Sequence, residues 1–234
     1  MTERRLTRVL AAMHAAGNDS WSSSRLCQVG PDILGVDGVG IMLMSGDIPA
    51  GSLCSTNPVS QLIEDLQYTL GEGPCVDAYR TDQIVSEPNL ADPETPRWPA
   101  FAPPAIAAGA RGVFGFPLRV GTVRLGAMNL YRDRSGLLSD DQHADAMVLS
   151  DVAARWVLEA QAGAPPDTVA EELEVGADFH YVVHNAAGMV AVQLGVNVTE
   201  ALIQLRAYAF GQGRSLAEVA EDIVSRHLRL DGAQ

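Results

Sequence analysis

Helix starts and stops are written most densely into residues 182–230 of this 234-residue chain, and they leave that segment little choice of fold. Val182, Val183, Ala186, Met189, Val190, Gln193 and Leu194 recur at the three- and four-residue spacing of one helix face. Gly195 follows where a left-handed stop belongs. Asn197 is a good N-cap, with Glu200 three residues on in the manner of a capping box. Ala201, Leu202, Leu205 and Ala209 then form an apolar stripe ended by Gly211 and Gly213. Ser215 with Glu218 opens a third helix, in which Leu216, Val219, Ala220, Ile223, Val224, His227 and Leu228 keep helical spacing. Ala186, Ala187 and Gly188 are small enough to let a neighbouring helix approach closely. These signals predict a three-helix bundle of about fifty residues, near the lower size limit for independent stability, so support from a further helix or a second chain is expected.

Upstream the pattern changes to α+β. Leu6, Val9, Leu10 and Met13 predict an N-terminal helix, and Ser24 to Leu34 a second one broken at Gly35. Val39 to Met44 and Gly51 to Ser55 read as a strand hairpin through Ser45-Gly46-Asp47. Val59 to Leu70 returns to helical spacing, and Gln83 to Ser86 is a short strand. A proline-rich loop follows, with a helix from Pro104 to Ala108. Arg111 to Arg119 and Thr122 to Tyr131 form a strand pair turning at Val120-Gly121. A long helix, Asp140 to Glu159, closes the region, with Met147, Val148, Val152 and Trp156 on one face. The order suits an antiparallel sheet flanked by helices. A boundary falls at Ala162-Gly163-Ala164-Pro165-Pro166, since two prolines cannot continue a helix. The expected divisions are therefore 1–162, a connector at 163–181 and the bundle at 182–230. In the connector, Val169, Leu173, Val175 and Phe179 suit a dimerising helix, and a solvated linker is the other reading.

Charge and composition narrow the function. The net charge is -13, and all sixteen basic residues are arginine. Residues 1–162 carry 12 arginines against 19 acids, and the remainder 4 against 10. Passive nucleic-acid binding by a basic surface is thereby excluded, because phosphate contacts need clustered cations. No apolar run reaches membrane-spanning length and the N-terminus lacks a continuous apolar leader, so a soluble cytoplasmic protein is expected. Cys27, Cys54 and Cys75 have neither metal-ligand nor disulfide-framework spacing and read as buried thiols. Cys75 stands apart: it follows Gly71-Glu72-Gly73-Pro74 and opens a helix, where a thiolate would be favoured.

Several segments resemble known families. Leu70-Gly71-Glu72-Gly73-Pro74-Cys75-Val76-Asp77-Ala78 resembles the GEGPC segment of actinobacterial GAF domains that precede ANTAR modules. Gly115-Phe116-Pro117-Leu118 with Leu125-Gly126-Ala127-Met128-Asn129-Leu130-Tyr131 is similar to the central GAF strand pair. Downstream, Ala186, Gly188, Glu200-Ala201, Leu205-Arg206, Ala209, Leu216 and Val219-Ala220 resemble the ANTAR module with its internal spacing intact. Ala187 departs from the pattern, standing where family members often carry Lys or Thr. The resemblance implies a transcription antitermination regulator: a GAF-like sensor controlling an RNA-binding bundle, commonly dimeric, that grips tandem stem-loops. Exposed Arg206, Tyr208 and Arg214 are the implied RNA contacts, with His184 and Asn185 behind them. Arginine forks to phosphate or stacks on a base, and tyrosine offers a stacking face.

The sensor side carries no cofactor signature. The cyclic-nucleotide motif of GAF domains is absent, and His143 sits among acids at a helix start, as a capping histidine rather than a haem ligand. Trp98, Phe114, Phe116 and Met128, with Cys75, either line a pocket for a small-molecule signal or simply form core. Residues 71–74 either bind an anion through their amides or only reverse the chain. No catalytic constellation emerges, and a non-enzymatic regulator is expected. The alternative to RNA binding is a protein-interaction module, which the balance of four arginines and four acids from His184 to Leu230 would also suit.

Overall fold

A computed structural model describes residues 2–15, 22–45, 48–92, 97–162, 173, 178–179 and 181–230. The chain divides into two compact units, 1–179 and 180–234. Among the described residues, no single helix is long and apolar enough to cross a membrane.

The first unit is α+β. Helices α1 (Thr2–Ala15) and α2 (Ser23–Leu34) lead into the hairpin β1 (Gly38–Ser45) and β2 (Ile48–Ser55). Then come α3 (Pro58–Leu70), α4 (Pro74–Thr81), β3 (Val85–Glu87) and α5 (Ala102–Ala107). The strand pair β4 (Gly112–Val120) and β5 (Val123–Arg132) precedes the long α6 (Asp140–Gln161). Six strands pair antiparallel in the order β3-β4-β5-β1-β2-β6, where β6 is Asp178–Phe179. Alternation sorts the side chains. Ile41, Phe114, Phe116, Leu118, Met128 and Leu130 share one face and pack with Val9, Leu26, Leu149 and Val157 of α1, α2 and α6. The opposite face carries Gly40, Gly115, Ala127 and Asn129 and is covered by α3 and α4.

The local chemistry explains the element ends. Asn57 caps α3 by accepting the Val59 and Ser60 amides, and Ser139 caps α6 with Gln142 as its reciprocal partner. At Gly115 the chain has no room for a side chain, since a Cβ would stand 2.3 Å from the Pro74 carbonyl oxygen. The two segments that resemble GAF motifs thus meet backbone to backbone at the start of α4.

Three expectations change. Cys27 of α2 and Cys54 of β2 form a disulfide, leaving Cys75 as the free thiol. Only the packing of α2 over β2 brings them together, so spacing alone did not show it. Reduction is expected to lower the stability of the first unit by roughly 3–4 kcal/mol in the loop-entropy picture. Paired urea titrations with and without reductant measure this, and coincident curves would refute it. On α6, Val148 and Val152 are buried as expected and Trp156 packs against the core, but Met147 is exposed and Ala146, Leu149, Ala153 and Val157 complete the buried face. In the connector, Leu173 is buried in this unit's core rather than facing a second copy. The backbone of 178–179 extends the sheet beside Gly51 and Ser52 instead of continuing a helix. Val169 and Val175 lie outside the described residues.

The second unit is the three-helix bundle: α7 (Tyr181–Leu194), α8 (Val198–Gln212) and α9 (Leu216–Val224). Asn197 accepts the Glu200 amide, and Ser215 and Glu218 make the reciprocal capping box. Gly213, not Gly211, ends α8 in the left-handed conformation. The core is Val183, Ala186, Val190, Ala201, Leu205, Ala209, Val219 and Ile223. The helical spacing through His227 and Leu228 does not extend α9. Arg226 turns left-handed at φ 62°, and the His227 and Leu228 amides both return to the Asp222 carbonyl at 2.8 and 3.1 Å.

Candidate functional site

The five residues expected to touch RNA all lie in the second unit, but not in one arrangement. Arg206 and Tyr208 are half-buried on α8, and the Arg206 Nε is enclosed by protein. Arg214 stands between α8 and α9, where its guanidinium donates to Asp222 Oδ2 at 2.7 Å and to the Glu218 carbonyl at 3.4 Å. That ion pair is exposed and screened, so it restrains Arg214 only weakly. Glu218 is held below the usual carboxylate range, first by the Ser215 backbone amide and then by its hydroxyl. It therefore stays charged beside Arg214 and offsets its positive field.

His184 and Asn185 belong to a different surface. They line a groove of about 730 Å³ between α7 and the segment that follows α9. That segment contributes Arg226 and Arg229, which sequence reasoning passed over. Both were visible as half of the four arginines after position 162. Nothing in the sequence marked them as neighbours of α7, because the turn at Arg226 carries no glycine or proline.

The expected sensor residues are likewise divided. Phe114, Phe116 and Met128 are 1, 1 and 0% exposed within the core beneath α1, α2 and α6. Cys75 lies across the sheet, its thiol directed at the Ala127 carbonyl. Trp98 is buried on the loop between β3 and α5, where its indole N–H donates to Asp77 at 2.9 Å and its ring meets Phe101 edge-on. Residues 71–74 serve chain reversal, with Gly71 ending α3 and Gly73 preceding α4. Their charged member, Glu72, accepts the Ala100 and Phe101 amides at 2.7 and 2.8 Å.

Between α3 and the sheet lies a buried polar layer that sequence reasoning missed. Glu64 is 1% exposed, Gln67 and Asn129 are 0% exposed, and Gln67 Oε1 accepts the Cys75 amide at 2.6 Å. The Asn129 side chain lies next to the Glu64 carboxyl and acts on it as a hydrogen-bonding neighbour, although the contact falls outside strict hydrogen-bond geometry. Burial raises the Glu64 pKa well above the usual range; Asp65 adds to the shift and Asn129 opposes it. Burial likewise raises the Cys75 thiol, and Glu64 adds to it. The expectation of a thiolate at Cys75 is corrected here: it does open a helix, but desolvation outweighs the helix end.

An antiparallel sheet sandwiched by helices, followed by a capped three-helix bundle, defines a two-module protein. The GAF domain family matches residues 23–156 and the ANTAR domain family residues 171–224. The chain belongs to the GAF family and carries a C-terminal ANTAR domain, the organisation of a sensor-controlled regulator. Its fold is similar to the GAF domain of a phosphoenolpyruvate-protein phosphotransferase from Acinetobacter: 17% identity, TM-score 0.52, 71% of this chain and 98% of that one. The corresponding GAF domain from Coxiella burnetii shows 13% identity, TM-score 0.50, and coverage of 69% and 95%. These likenesses establish the fold alone. Comparison with curated proteins gave no match.

Proposed function

We propose that this protein is a cytoplasmic, homodimeric antitermination regulator whose ANTAR module binds RNA stem-loops under control of the GAF domain. The observation that carries the reading is the ANTAR match over residues 171–224, which includes the whole of α7, α8 and α9. Arg206, Tyr208 and Arg214 supply cationic and aromatic contacts to loop nucleotides, and a dimer on tandem stem-loops offsets the weak field of each module through effective concentration. The GAF domain holds a small-molecule signal. The layer of Glu64, Gln67 and Asn129 supports that assignment, because it sets several polar side chains together inside the fold, where polar groups of a ligand find hydrogen-bond partners. No step of this reading needs catalysis by the chain.

Replacing Arg206 and Arg214 together by Ala is expected to weaken binding to an RNA bearing two adjacent stem-loops by roughly tenfold or more. Unchanged affinity in an equilibrium gel-retardation titration would overturn the assignment of those residues. One observation favours the second reading, a protein-interaction module. Ile203 and Phe210, two turns apart on α8, are 55% and 73% exposed. If the wild-type protein retards no structured RNA at low salt, that reading takes precedence.

A further inference from the structure

The groove between α7 and the end of the chain combines three features that its packing role does not require. Among the described residues that line it, the charged and ionisable ones are Arg226, Arg229 and His184, in a chain of net charge -13. Its floor includes Gly188, in the interior of α7, where an added Cβ would meet no described atom within 4 Å. A mid-helix glycine weakens a helix, and here no neighbouring helix presses on it, so close packing does not explain it. It leaves the groove open. The third feature is Arg226 itself, at φ 62° in the left-handed region that disfavours a residue bearing a Cβ. Glycine would satisfy that turn with less strain; arginine adds a cation at the groove's edge.

The remaining lining is apolar and amide in character. Met189 and Val192 of α7 face Ile223 and Leu228 across the groove. Gln193 accepts the Leu230 amide through Oε1 at 3.2 Å, which leaves its side-chain NH2 to donate. We propose that this groove takes an unstacked nucleotide of an RNA loop. The base lies against the apolar walls, Asn185 and Gln193 read its edge, and Arg226 and Arg229 hold the flanking phosphates. Unstacked loop bases are recognised by stacking on aromatic rings or arginine guanidinium planes together with hydrogen bonds to their edges; here the arginines supply the planes and the amides the edge contacts. The charge of the lining selects an anionic occupant, and the amide and apolar content favours a nucleotide over phosphate alone. This inference rests on the RNA-binding reading above and adds Arg226 and Arg229 to its contacts at Arg206 and Arg214.

The test uses full-length protein and an RNA of two adjacent stem-loops, with binding and thermal unfolding measured side by side. Arg226→Gly relieves the strained turn, so its melting midpoint should be unchanged or higher while affinity falls about tenfold. The salt dependence of log K should also become shallower, by about 0.7 for each single-strand phosphate that the variant no longer neutralises. Gly188→Leu fills the groove and should weaken binding comparably. Gly211→Ala, at another helical glycine with open space around it, should leave binding unchanged. Should Gly188→Leu fail to fold, Arg226→Gly still decides the matter. Wild-type affinity in a folded Arg226→Gly protein overturns the groove while the RNA reading stands. No binding by the wild-type protein at low salt overturns both. If Arg226→Gly changes oligomeric mass by sedimentation while RNA affinity is kept, the groove is an interface between copies of the chain, and the proposal is likewise overturned.

Discussion

Raising the pH from about 5 to about 8 is expected to destabilise the GAF domain through Glu64, and Glu64→Gln should remove that loss. The carboxyl is buried against Gly40, where a Cβ on the glycine would come within 2.4 Å of its Oε1. Burial raises its pKa well above the usual carboxylate value in the folded state. The unfolded chain returns it to about 4.3. In the interval between these values the folded state holds a proton that the unfolded state has released. Stability from this group is therefore complete below the unfolded pKa and is lost as pH rises towards the folded one. The limiting slope for a single proton is about 1.4 kcal/mol per pH unit. Urea denaturation of wild type and Glu64→Gln across this range isolates the contribution, because other titrating groups cancel in the difference. Parallel curves would contradict it. Asp65 increases the penalty on the charged form, and Asn129 opposes it, so the variant's gain should be largest at the alkaline end.

Leu205→Ala is expected to unfold the ANTAR module while leaving the GAF domain folded. Leu205 is 0% exposed in a bundle whose other fully buried residues include Ala186, Ala187, Ala201, Ala209 and Ala220. Those residues are small and cannot collapse into the space it vacates. Truncation of a buried leucine costs about 2–5 kcal/mol, and a core of roughly fifty residues supplies little more than that. Hydrogen exchange should show protection abolished across α7, α8 and α9 and retained in β1, β4 and β5. Loss of protection in both units together would mean that they do not unfold independently.

The legible parts of this fold are those whose causes are local. Asn197, Ser215 and Glu218 make caps with residues three positions away, so the sequence alone shows them. The β4–β5 pair is legible because its hydrophobic content and the turn after Val120 lie within one hairpin. Elsewhere the cause is distant. The buried face of α6 is rich in alanine, and ranking by hydrophobicity picks Met147, which is exposed, over Ala146 and Ala153. The Cys27–Cys54 pair depends on how α2 crosses the hairpin. Glu64 and Gln67 look like the wet side of α3 until the sheet's glycines draw that helix inward. The candidate RNA surface shows the same limit: Arg206 and Arg214 sit in a recognisable motif, whereas Arg226 and Arg229 reach α7 only through a left-handed turn with no glycine to mark it.

RNA binding by this acidic protein is proposed to run through a few placed arginines rather than through a basic surface. Its most direct test is the equilibrium affinity of the full-length protein for an RNA of two adjacent stem-loops, measured from about 50 to 200 mM salt. The account predicts binding at low salt that declines log-linearly with a slope reflecting only a few phosphate contacts, and stronger binding to two loops than to one. No binding at the lowest salt, or equal affinity for one loop and two, would contradict it.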